Sequence, residues 1–111
     1  MNFCKKELKN WFNEYNSLYF DSKLKLPIFK WLNSTTINGS YVYDDNGTDS
    51  IWISRWHQNW NDDFIKKVLI HEMTHQYVYH FLTKAKYHIF QHGLCFQYMR
   101  LKLKLLYNIT I

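Results

Sequence analysis

The pentad His71-Glu72-Met73-Thr74-His75, set in an apolar-periodic stretch that reads as a helix, constrains this chain more than any other feature. Side chains at i and i+4 of a helix stand one above the other on the same face. His71 and His75 can therefore present imidazole nitrogens to a single ion. Glu72 projects beside the pair, where a base for a metal-activated water is needed. Such a geometry demands a regular helix held by a packed domain.

The chain supplies one. The sequence predicts the pentad helix over about 62–83, with Asn59 or Asn61 as cap and Asp62 and Asp63 in the favourable first turn. Asp62-Lys66 and Asp63-Lys67 are spaced as i,i+4 ion pairs. Phe64, Val68, Met73 and Tyr79 are available as anchors, with Ile65, Leu69 and Ile70 adding buried surface. Upstream, Leu8, Trp11, Phe12, Tyr15, Leu18 and Tyr19 recur at three- and four-residue steps and predict an amphipathic helix within 3–20. Asp21-Ser22 breaks it, and a strand follows Pro27 over about Ile28 to Leu32. Asn38-Gly39 reads as a turn before Ser40-Tyr41-Val42-Tyr43, and Asp44-Asp45-Asn46-Gly47 as another before Ser50-Ile51-Trp52-Ile53-Ser54. The last two runs make a hairpin within a three-stranded sheet whose order and register the sequence leaves open.

Gly93 then reads as a break before a last helix taking in Cys95, Phe96, Met99, Leu101 and Leu105 and running to about Lys104. Leu101-Lys102-Leu103-Lys104-Leu105 alternates as a strand would, and an apolar tail runs from Tyr107 to Ile111. The expectation is an α+β fold, built from an N-terminal helix, a small three-stranded sheet, a metal-binding helix and a C-terminal helix, in one domain over 1–111.

Charge is distributed unevenly. The formal net charge is +5, and all of the excess follows Glu72, where Lys84, Lys86, Arg100, Lys102 and Lys104 occur with no acid. A basic segment of this kind attracts a polyanion or forms an ordinary solvated face. Five Trp, nine Tyr and eight Phe are enough both to fill a core and to wall a groove. Trp52, Trp56 and Trp60 read as packing residues first and base-stacking residues second. The chain has no signal-like apolar region at its start and no run of eighteen apolar residues, so no membrane partner is expected. Cys4 and Cys95 are too few for a zinc ribbon or a disulfide framework, and an intracellular setting is the expectation.

A catalytic zinc site takes three protein ligands plus water. With no Asp or Glu after Glu72, the ordinary downstream candidates are His80, His88, His92 and Cys95. His80 is nine residues from His71, a half turn out of phase on a straight helix. The G-x-x-H continuation of the long metzincin motif is missing, since positions 78 and 81 are Val78 and Phe81. His88 and His92 both lie far enough on for the chain to turn back, and Gly93 favours His92. His57 reads as a surface or packing histidine.

The pentad, His92-Gly93-x-x-Phe96, and upstream Phe12-Asn13-x-x-Asn16-x-x-Tyr19-Phe20, Leu26-Pro27 and Ile51-x-Ile53-Ser54 together resemble the SprT-like zinc metalloprotease domains. That family includes the Spartan proteases of DNA-protein crosslink repair, and the resemblance runs from about Phe12 to Arg100. It implies a minimal zincin-like domain in which Zn2+ is held by His71, His75 and His92 and Glu72 is the catalytic glutamate. It further implies a protein or peptide substrate, DNA or a DNA-bound protein as a partner class, and a cytoplasmic or nucleoid- or nuclear-associated location.

Two features depart from the family's pattern. No cysteine-rich ribbon follows before Ile111, and Cys95 stands where some relatives carry an acid, so that its thiol can pack near the ion or compete for it. Tyr87 or His88 could serve an oxyanion if the connection folds over a cleft, and Arg100, Lys102 and Lys104 could touch phosphate. The competing reading is a non-catalytic zinc-containing nucleic-acid-binding or adaptor module, closed by Cys95 or His88 as a fourth ligand.

Overall fold

The computed structural model describes residues 4–44, 48–55, 62–82 and 94–111. In chain order the elements are α1 (Lys5–Tyr19), β1 (Ile28–Leu32), β2 (Gly39–Val42), β3 (Ser50–Ser54), α2 (Asp62–Tyr77), a π turn (Val78–Leu82) and α3 (Leu94–Tyr107). This is the α+β arrangement of three helices and a small sheet that the apolar spacing predicts.

The helix α1 buries Leu8, Phe12 and Tyr15 along one face, and Phe12 meets Phe29 of β1 edge to face at 6.1 Å. It stops where Asp21 and Ser22 turn left-handed, at φ 54° and 57°. The N–H groups of Phe20 and Ser22 both donate to the Asn16 carbonyl. The buried Asn16 side chain then acts as a short strand toward Leu24: Nδ2 donates to its carbonyl at 2.9 Å and Oδ1 accepts its N–H at 3.1 Å. One amide thereby satisfies a loop residue that has left the helix and not yet joined the sheet.

The sheet order is β1-β3-β2, with β1 parallel and β2 antiparallel to β3. The β2–β3 hairpin agrees with the sequence, and residues 45–47 at its turn lie outside the described residues. Because side chains alternate, Phe29, Trp31, Tyr41, Ile51 and Ile53 share the face against the helices. Lys30 and Trp52 share the other, the Lys30 ammonium 5.2 Å above the half-buried indole. The Asn38-Gly39 turn is corrected: Gly39 opens β2, pairs with Ile53 and has no positive φ.

Three other expectations need correction. Phe64 is exposed rather than an anchor, whereas Val68, Met73 and Tyr79 are buried. Neither i,i+4 ion pair forms among the described residues: Lys66 places its ammonium 5.2 Å over the Trp11 ring, and Asp62 Oδ1 is buried with no partner. Solvated pairs of this type contribute too little to dictate a rotamer. The predicted α-helix to 83 gives way at Val78 to a π turn, which swings His80 toward the sheet.

The helix α3 runs past Lys104 to Tyr107. Phe96, Met99 and Leu103 point inward while Leu101 and Leu105 are 57% and 74% exposed. A strand would have put Leu101, Leu103 and Leu105 on one face, so helical spacing decides the ambiguous alternation. Asn108 ends the helix left-handed at φ 56°, and Ile109 and Ile111 fold back onto the core. Tyr107 meets Tyr19 at 4.9 Å, joining the last turns of α3 and α1. One apolar cluster draws on all three helices and the sheet. No described helix is long and apolar enough to cross a membrane.

Candidate functional site

Two neighbouring rows of side chains on α2 build the site. Val68, Glu72 and Gln76 are spaced by four residues and form a buried row. His71 and His75 form the next row round, half-buried, with ring centroids 5.0 Å apart. Regular α-helix through Tyr77 keeps both rows in register, and the π turn begins only after them.

The buried row packs against the strands and the loop before β1. Gln76 Nε2 donates to the Lys25 carbonyl at 2.9 Å. Glu72 is only 6% exposed, and burial pushes its carboxyl up from the ordinary 4.5 to about 8. Beside it runs the start of β2, so close that a Cβ on Gly39 would stand 3.1 Å from Glu72 Oε2.

The histidine row packs against α3. Phe96, 1% exposed, lies 4.4 Å from the His75 ring in a stacked arrangement and 4.9 Å from the His71 ring. One phenyl ring thus backs both imidazoles and limits their rotation. Two imidazoles on one helix face can share a borderline divalent cation. A neighbouring carboxyl that titrates near neutrality can exchange a proton with water or substrate. The donor set present therefore fits a zinc-type centre in residue type and spacing. Among the described residues no third His, Cys, Asp or Glu completes a metal-holding group.

A family model described as the SprT-like family matches residues 8–110. This chain belongs to the SprT-like family. No curated protein matches it significantly.

In this SprT-like chain the structure brings together three of the four residues singled out in the sequence, His71, Glu72 and His75. The fourth, His92, lies outside the described residues, as do its rival His88 and the residues His57, Trp56, Asn59, Trp60, Asn61, Tyr87 and Gly93. Cys95 is a free, partly buried thiol packed on the core beside Phe96. His80 lies in the π turn beyond the pair, where its Nε2 donates to the buried Asp49 carboxylate at 2.5 Å. Tyr41 Oη donates to the same carboxylate at 2.7 Å, and the Asp44 N–H to its other oxygen at 3.0 Å.

Sequence reasoning missed two of these residues. Asp49 carried no signal, since one acid beside a turn is ordinary. Gly39 did carry one: it precedes Ser40-Tyr41-Val42, where glycine inside a strand marks a close backbone approach as readily as a turn.

Proposed function

We propose that this SprT-like chain is a zinc-dependent endopeptidase of zincin-like architecture, with α2 as its metal-binding helix. The single observation that carries the reading is the pair of imidazoles 5.0 Å apart on α2 with the Glu72 carboxylate buried in the adjoining row. His71, His75 and His92 would hold Zn2+. Phe96 supports the third assignment, because it lies against both rings and His92 precedes it by only four residues, a span of at most about 14 Å. Zinc bound there supplies Lewis-acid polarisation of a peptide carbonyl and a lowered pKa for water.

The chain's own groups do the rest. Glu72 accepts a proton from the attacking water on its carboxylate and returns it to the departing amine nitrogen. In the metal-free chain burial raises the affinity of this carboxyl for a proton, and a cation held by the histidines would draw that affinity down. Phe96 fixes the imidazoles and excludes water behind them. The strand β2 lies at the sheet edge beside Glu72, and its outer edge suits an extended peptide, which would add as a further strand. DNA or a DNA-bound protein remains the proposed partner class, supported by the exposed Arg100 and Lys104 on α3.

The test combines metal analysis with peptide cleavage on untagged protein. The wild type should bind one zinc per chain and cleave an unstructured protein substrate. Glu72→Gln should keep the zinc and lose at least about a hundredfold in kcat, the scale of a general base. His92→Ala should lose the zinc. Retained zinc and unchanged nucleic-acid binding in Glu72→Gln, with no cleavage by the wild type, would instead establish a non-catalytic zinc module.

A further inference from the structure

The geometry points to Gly39 as the positioning residue for the Glu72 carboxylate: the missing Cβ lets β2 close over α2 and fix where Oε2 lies. The contact stands on geometry alone, and its catalytic consequence rests on the peptidase reading.

Gly39 is not glycine for the usual reason. It pairs with Ile53 in the ladder and has no positive φ, so no backbone conformation demands it. Glycine within a strand also weakens that strand, so its presence calls for a spatial cause. The space supplies one. A Cβ at this position would stand 2.9 Å from Val68 Cγ1, 3.0 Å from the Trp52 carbonyl oxygen and 3.1 Å from Glu72 Oε2. All three distances are too short for a methyl group at rest against these atoms.

The three neighbours differ in what they can yield. The Trp52 carbonyl belongs to the central strand, paired on both sides, and is fixed. Val68 is β-branched and buried in the helix, with one stiff torsion to turn. Glu72 Oε2 is the end of a three-torsion side chain. An added methyl would have to shift Val68, its tightest contact, and would also press the carboxylate, the most mobile of the three neighbours, a few tenths of an ångström out of place, while the imidazoles, held by Phe96 on another face of α2, keep their places. Gly39 in this way decouples the position of the proposed base from the proposed metal ligands.

A double-mutant cycle on the metal-free protein tests the contact without activity. Gly39→Ala should lower Tm by about 5 °C in the wild-type background and by clearly less in Glu72→Ala. An equal loss in both backgrounds, or relief only in Val68→Ala, would overturn the inference and leave Gly39 as a packing residue. The zinc-loaded enzyme reads the consequence: Gly39→Ala should keep one zinc per chain and its KM but lose about 10- to 100-fold in kcat. An unchanged kcat would also overturn it. If the wild type cleaves nothing, the peptidase reading fails, and the thermal cycle still decides whether Gly39 positions Glu72.

Discussion

Glu72 shows how burial sets a side chain's chemistry. Its folded-state value of about 8 arises from desolvation, against 4.5 for a solvated carboxyl. Between those values the folded metal-free chain keeps a proton that the unfolded chain releases, so rising pH favours unfolding. Stability from this group is complete below about pH 4.5, declines through the window and levels off above about pH 8, a loss on the order of 5 kcal/mol. Urea titrations of metal-free protein across that range should show the decline, and Glu72→Gln should flatten it. Equal slopes in the two proteins would mean that the carboxyl titrates as a solvated group. The pentad was legible residue by residue, because i,i+4 spacing on a helix needs only sequence to place two histidines on one face. The environment that raises Glu72 was not legible, since it depends on a strand more than thirty residues upstream.

At the scale of elements, α3 supports the site through the Phe96 ring. Phe96 is fully packed and touches both imidazoles, so its removal opens a cavity and frees the histidines together. Phe96→Ala should cost about 3–5 kcal/mol in chemical denaturation. It should also weaken zinc binding about 10- to 100-fold in a competition titration, as loss of an orienting neighbour does. Wild-type zinc affinity in a destabilised Phe96→Ala would confine the ring to packing. The π turn follows directly on the histidine pair, where α2 ends. It lets His80 reach the Asp49 carboxylate that Tyr41 also engages, tying the helix to the β2–β3 hairpin. Apolar periodicity predicted each of these elements within a few residues. It did not predict the π turn, in which His80 meets Asp49, and by alternation alone Leu101–Leu105 fits a strand as well as the predicted helix that is found there.

For the molecule as a whole, the charge surplus lies entirely after Glu72, and α3 carries Arg100 and Lys104 of it one turn apart on an exposed face, with the half-buried Lys102 on the other side of the helix. If the Arg100–Lys104 face meets DNA, affinity for a short duplex should fall steeply with salt, and replacing these two residues by Gln should reduce the log–log slope by about two. Absence of binding at low salt would remove DNA from the proposed partners. The sequence by itself determined the helices, the strands, the hairpin and the histidine pair, because these depend on local periodicity and on residue spacing along a helix. Only the tertiary structure decided that β1 pairs in parallel with β3, that β2 forms the edge beside Glu72, and that Gly39 is a point of close approach rather than a turn. Those features depend on which residues distant in the chain come into van der Waals contact, and that is settled by packing the whole core at once.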